Sequence, residues 1–210
     1  RALNAARAAR KPAALVTRLA DGAQRLLVDG EAPLGPLALE ADMQARAIAQ
    51  RGVDASGFLD DAQTLFVRIS APPARLAIVG AAHIAQALAP MAATLDYAPT
   101  VIDPRGGWAA PERFPGVPIL DDWPDDALAA FDPDMRTAVV CLTHDPKLDD
   151  PALIAALASP AFYIGALGSR RTHAKRLDRL AGQGVAAEDA ARIHGPGGLA
   201  IGAKTPAEIA

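Results

Sequence analysis

A single cysteine, Cys141, occurs in the 210 residues of this chain. That excludes a disulfide framework and a Cys-based zinc site within one chain. It also fits a reducing cytoplasm, which is the expected setting. Aromatic residues make up only 4% of the sequence and are not interleaved with basic ones, so no stacking platform for single-stranded nucleic acid is expected. The net charge is −3, and there is no basic excess of the kind a nucleic-acid surface needs. No apolar run reaches the roughly 18 residues of a membrane span. No signal peptide is visible, although the chain begins at Arg1 and not at Met. Also missing are a Ser/His/Asp nucleophile elbow, a carboxylate pair suited to glycoside chemistry and a histidine pair at i, i+4 spacing. No metal site is therefore expected.

Hydrophobic residues are plentiful at 51%, enough for a sizeable core, although much of that fraction is alanine. Residues 1–12 are rich in Ala and Arg and read as a frayed helix or tail. Ala13–Leu19 and Gln24–Val28 read as strands around an Asp-Gly turn. Leu37–Arg51 has helical apolar spacing, and Gln63–Ile69 alternates like a half-buried strand. Together they predict a small α+β domain over residues 1–72, closed by Pro72 and Pro73, which can continue neither strand nor helix. Over residues 73–210 strands alternate with helices. Strands are expected at Leu76–Val79, Thr100–Ile102, Val117–Leu120, Ala138–Leu142 and Phe162–Leu167. Helices are expected at Ala82–Leu95, Asp126–Phe131, Ala152–Ala158 with Pro151 near its first turn, Ser169–Leu180 ended by Gly182, and Ala186–Ile193. The fold class is α/β: a Rossmann-like doubly wound parallel sheet with a smaller N-terminal α+β domain. Thr205-Pro206-Ala207-Glu208 is a capping box that starts a helix where the chain stops, so the natural protein is expected to continue past Ala210.

The stretch Arg75–Ala85 (R-L-A-I-V-G-A-A-H-I-A) is a strand, a tight turn and a helix start, and Asp103 closes the next strand 23 residues after Gly80, near the dinucleotide-fingerprint spacing. The turn is Gly80-Ala81-Ala82-His83. Ala82 stands at the second glycine position, where a methyl group would hinder close approach of a pyrophosphate. In the usual strand order the first strand lies beside the fourth, so this turn should face Thr143-His144-Asp145. Beyond it comes Gly168-Ser169-Arg170-Arg171-Thr172-His173, a helix N-terminus with two guanidinium groups and a plausible anion site. His83, His144 and His173 thus fall on one sheet edge. The position of His194 does not follow from the pattern. Structural alternatives stay open: His83 covering a helix turn, Thr143 and Asp145 capping a helix, Arg170 and Arg171 forming a solvated face. Cys141 lies in an apolar strand and reads as a core thiol.

The segments V-G-A-A-H-I-A, V-I-D-P-R, L-T-H-D-P-K-L-D, G-A-L-G-S-R-R-T-H and I-H-G-P-G-G-L-A-I-G-A-K-T-P-A-E-I-A resemble the Rossmann domain of the XdhC/CoxI family, over Arg75 to Ala210. The resemblance implies an accessory factor, not itself an enzyme, for molybdenum hydroxylases such as xanthine dehydrogenase and carbon monoxide dehydrogenase. Such a factor binds the molybdenum cofactor (molybdopterin), assists its sulfuration by a donor such as a cysteine desulfurase, and delivers it to the apo-enzyme as a cytoplasmic homodimer. The pterin phosphate would sit at Gly80–His83 or at Ser169–Arg171. The family's turn is usually G-A-G-H and its N-terminal domain commonly carries an S-G-G-C block. Here Ala82 replaces the glycine and residues 1–70 hold no cysteine. Two other readings remain. One is an NAD(P)-dependent oxidoreductase with Asp103 on the ribose hydroxyls and Arg105 near a 2′-phosphate. The other is a scaffold that binds the hydroxylase or sulfur donor through its N-terminal unit.

Overall fold

The computed structural model describes all residues, Arg1 to Ala210, and the chain forms two compact units, Arg1–Pro72 and Pro73–Ala210. In the first, helix α1 (Ala2–Ala8) leads into strands β1 (Ala13–Arg18) and β2 (Gln24–Val28), helix α2 (Ala41–Gly52), and strands β3 (Gly57–Phe58) and β4 (Leu65–Ser70). The strands make an antiparallel sheet in the order β2-β1-β4-β3. Side chains alternate across it. Ala14, Val16 and Val67 pack with Ala47 of α2, whereas Ala13, Leu26 and Val28 pack with Ala6 of α1. The helix expected from Leu37 starts only at Ala41. Leu37 is instead extended, its N–H donating to the Gln24 carbonyl at 3.1 Å while its side chain joins the core.

The second unit runs β5 (Arg75–Val79), α3 (His83–Thr94), β6 (Ala98–Ile102), a 3₁₀ turn at Pro111–Arg113, β7 (Ile119–Leu120), α4 (Pro124–Phe131), β8 (Thr137–Cys141), α5 (Pro146–Leu157), β9 (Tyr163–Ala166), α6 (Arg170–Gly182), α7 (Ala187–Ala190), β10 (Ile193–His194) and α8 (Pro206–Ile209). Its six strands are all parallel, in the order β10-β9-β8-β5-β6-β7. This is the doubly wound arrangement, with the order reversing between β5 and β8. The sheet is covered on both faces. Ala77, Val79, Val139 and Cys141 meet Leu128, Leu153 and Leu180 of α4, α5 and α6. Leu76, Ile78 and Val101 meet Ala85, Ala89 and Ala92 of α3. Those alanines recur at helical spacing, so one narrow stripe of α3 lies close on the sheet.

Two helices of this unit differ from expectation, and the strand expected over Val117–Leu120 is only β7. Helix α5 begins six residues early: Asp145 accepts a hydrogen bond from the Lys147 amide at 3.0 Å and Pro146 takes the first position, so Pro151 falls inside the helix. A buried face of Leu148, Ala152, Leu153 and Ala156 holds the helix across the bond that Pro151 cannot make. The helix expected over Ala186–Ile193 stops at Ala190. There Arg192 donates to the carbonyls of Leu157, Ser159 and Ala161 at 2.7, 3.0 and 3.1 Å, and Ile193 enters the core as the edge strand β10. His194 therefore lies on a strand, its ring stacked on Tyr163 at 4.8 Å.

Candidate functional site

Parallel order brings the turns after β5, β6, β8 and β9 to one edge of the sheet, the carboxyl edge where doubly wound folds bind ligands. Gly80 shows how closely the turns approach. Its φ is +106°, and a Cβ there would lie 2.5 Å from Thr143 Cγ2 and 3.2 Å from the Thr143 nitrogen. Only glycine fits both the dihedral and the space. The turns of Gly80 and Thr143 thus touch directly, as strand order predicts. Ala82 is the N-cap of α3 in extended conformation, and no side chain accepts from the amides of the first helical turn. His83 is exposed and stands edge-on to Trp108, with ring centroids 6.4 Å apart.

Asp103 is covered and fully hydrogen-bonded. Only 1% of it is exposed. Its Oδ2 accepts from the Ala81 amide at 2.8 Å and from Arg105 Nη2 at 2.7 Å. Its Oδ1 accepts from the Arg105 amide at 3.0 Å and from Arg105 Nε at 2.8 Å. Burial alone pushes this carboxyl up, but the hydrogen bonds from Arg105 and the two amides outweigh it and hold it below the usual carboxylate range. Asp103 thus ties the Gly80 turn to Arg105, and its four acceptor directions are filled without the ribose contact that the oxidoreductase alternative would give it. Arg105 in turn lies over the Trp108 ring at 5.5 Å, and Arg113 lies over the same ring at 5.4 Å. Arg113 is anchored on α3 by Gln86 Oε1 at 2.9 Å. The indole, 44% exposed, stands beside the start of α3 with His83 and two guanidinium groups around it.

Across the crevice the Thr143 hydroxyl donates to Asp149 Oδ1 at 2.6 Å and accepts from the Asp145 amide at 3.0 Å. The capping alternative for Thr143 and Asp145 is thus realised. His144 between them is exposed, with φ +63°. Beyond β9, Gly168 has φ +138°, and Ser169 caps α6 by accepting from the Thr172 amide at 3.1 Å. Arg170 and Arg171 are exposed on the first turn. His173 faces inward, in contact with Gly195, where a Cβ would fall 2.1 Å from Nδ1. Burial, and then the charge of Arg176, holds its imidazole below the ordinary histidine range.

Sequence reasoning passed over the buried polar set beneath these turns. Arg176, 1% exposed, donates to the Leu167 carbonyl at 2.8 Å and faces Asp149 Oδ2 at 3.7 Å. It links the turns after β8 and β9. Burial pushes the Asp149 carboxyl up, against the pull of Thr143 and Arg176. Asp150 holds Arg179 in a two-pronged pair at 2.6 and 2.8 Å, joining α5 to α6. The signal for Arg176 was its position: four residues before buried Leu180, it lies on the inward stripe of α6. Cys141 is wholly buried and its thiol is pushed well above the ordinary value by desolvation, so it is no nucleophile. No cluster of three metal-ligating side chains forms, and no helix is long and apolar enough to cross a membrane.

Comparison with known proteins agrees with this architecture. The XdhC Rossmann domain pattern matches residues 76–210. The chain is 34% identical over 164 residues to the uncharacterized protein YqeB of Escherichia coli, covering 78% of this chain and 30% of that one. It is 37% identical over 128 residues to the E. coli molybdenum cofactor insertion chaperone PaoD, covering 61% of this chain and 34% of that one. It is 30% identical over 152 residues to a probable xanthine dehydrogenase subunit from Bacillus subtilis, covering 72% and 44%. A crystal structure described as a xanthine dehydrogenase from Bacillus halodurans superposes with a TM-score of 0.69 at 25% identity, over 96% of this chain and 57% of that one. The chain thus spans less than half the length of these curated relatives. With the pattern covering the whole parallel-sheet unit from Leu76 onward, the chain belongs to the XdhC family through its Rossmann domain.

Proposed function

We propose that this chain binds the molybdenum cofactor at the carboxyl edge of its parallel sheet and delivers it to an apo-enzyme of the xanthine dehydrogenase type. The observation that carries this reading is the start of α3. Helices α5 and α6 have side-chain caps from Asp145 and Ser169, but α3 has none. Its free amides and positive dipole end offer a place for a phosphate. The cofactor's pterin carries such a phosphate, and half-exposed Trp108 gathers Arg105 and Arg113 beside this helix start. These residues fit the group: the amides of α3 and His83 would hold the phosphate, and Arg105 and Arg113 would add positive charge. When bound, the cofactor supplies the redox-active molybdenum centre that the receiving hydroxylase lacks; the chain binds, orients and shields it, and performs no chemistry itself. PaoD, described as a molybdenum cofactor insertion chaperone, supports the assignment by its similarity.

Finer parts of the reading rest on family resemblance. Sulfuration would use a separate donor such as a cysteine desulfurase, since the buried Cys141 cannot carry a persulfide. The working form would be a cytoplasmic homodimer. The nicotinamide alternative loses support because Asp103 has no acceptor left for ribose. The test is transfer. Purified chain loaded with molybdenum cofactor, mixed with cofactor-free xanthine dehydrogenase-type apo-enzyme, should restore hydroxylase activity in proportion to the cofactor carried. Cofactor that never associates with the chain, or that associates but raises activity no faster than free cofactor, overturns the proposal.

A further inference from the structure

We infer that Arg105 is a specificity-determining residue that closes the ribose subsite of this crevice by standing in for a ribose diol. An ionised carboxylate offers two oxygens with about four lone-pair directions. Asp103 receives four donors: the Ala81 amide, the Arg105 amide, Arg105 Nε and Arg105 Nη2, at 2.8, 3.0, 2.8 and 2.7 Å. The two amides hold the carboxylate in place. The two guanidinium donors are what distinguish this site, because one falls on Oδ1 and the other on Oδ2. Two hydroxyls of a vicinal diol would occupy the same pair of positions, which is how an acidic residue here reads ribose in dinucleotide-binding sheets. With those positions taken and the carboxylate buried, a ribonucleotide gains nothing from its sugar. Trp108 flanks the guanidinium, its ring centroid 5.5 Å from the guanidinium carbon.

The consequence concerns ligand class. The crevice accepts a phosphate monoester for its phosphate and is blind to a ribose, so cellular nucleotides have no sugar-based advantage over a pterin phosphate. The inference rests on the reading above in one respect only, the seat of the phosphate at α3. Removing the Arg105 side chain would leave Asp103 held by two amides with one acceptor direction open on each oxygen.

The test compares adenosine 5′-phosphate with 2′,3′-dideoxyadenosine 5′-phosphate, titrated calorimetrically into the whole chain, Arg105→Ala and Arg105→Lys. Removing the arginine also removes a charge that phosphate feels, but both ligands carry the same phosphate, so their ratio cancels that loss. The unmodified chain should bind the two within about twofold. Arg105→Ala should prefer the ribonucleotide by at least tenfold, and Arg105→Lys by less, in the same direction. A thermal melt establishes that each variant is folded; if the alanine variant is not, the lysine variant decides. A ribonucleotide preference in the unmodified chain, or none in the folded variants, overturns the inference. Binding of neither nucleotide to any of the three proteins contradicts the α3 phosphate site and overturns the inference with it, whereas binding to all three with no ribose preference contradicts the role of Arg105 alone.

Discussion

Two residues show how burial and pairing set the chemistry of this edge. Arg176 brings a full charge to a position 1% exposed, which is tolerable only with partners. It has the Leu167 carbonyl, the facing Asp149 and a long contact to His173 Nδ1 at 3.5 Å. That positive charge and the surrounding desolvation favour neutral His173. The folded chain binds a proton at His173 less readily than the unfolded chain does, so this residue lowers stability as pH falls through the ordinary histidine value near 6.5. Denaturant midpoints measured from about pH 7.5 to about pH 5.5 should therefore fall more steeply for the parent than for His173→Gln. Parallel curves would mean that His173 titrates as freely in the folded chain as in the unfolded one. The surroundings of Asp103 were half legible at this same scale. The spacing from Gly80 was legible, but the identity of its partner was not. Arg105 two residues on is unremarkable in sequence; only the return of its side chain over the carboxylate closes the acceptor sites.

Helix starts carry the functional argument at the level of elements. The Ser169 cap of α6 and the Thr205 capping box of α8 were legible because such caps are local: the side chain bonds to its own backbone three residues on. The start of α5 was misread because Pro146 and Pro151 both look like first-turn residues. The choice between them is made by packing of Leu148 and Leu153, which no local pattern displays. β10 was missed for a similar reason, since a two-residue strand is held by its neighbour β9 and by Arg192. For α3 the cap is missing, and that yields a prediction with opposite signs in two readouts. Ala82→Asp supplies both a cap and a negative charge. It should stabilise the folded chain by about 1 kcal/mol and weaken phosphate-bearing ligands by roughly tenfold or more, a loss of at least about 1.4 kcal/mol. Arg170→Ala with Arg171→Ala, on the already capped α6, should weaken them less. A double variant that loses binding while Ala82→Asp keeps it would move the phosphate to α6. Thermal melts and calorimetric titration of the three proteins read both effects.

At the level of the molecule, alternation of strand and helix from Arg75 onward was enough to read a parallel sheet with the first strand beside the fourth, although not its edge strand β10, because right-handed crossovers and burial on both faces leave few other arrangements. The all-parallel order β10-β9-β8-β5-β6-β7 places the turns of Gly80, Asp103, Thr143 and Ser169 on one edge. Which ligand that edge holds was legible only through family resemblance, since a doubly wound sheet serves many ligands. The ligand proposed for this edge is a molybdenum pterin. The direct measurement is to purify the chain from a host competent for molybdenum cofactor synthesis, release whatever it carries, and identify it by mass spectrometry and pterin fluorescence. The expected result is a molybdenum pterin, in an amount that falls sharply when Ala82→Asp is purified in parallel. A nicotinamide dinucleotide in its place, or a chain that emerges empty from such a host, would contradict it.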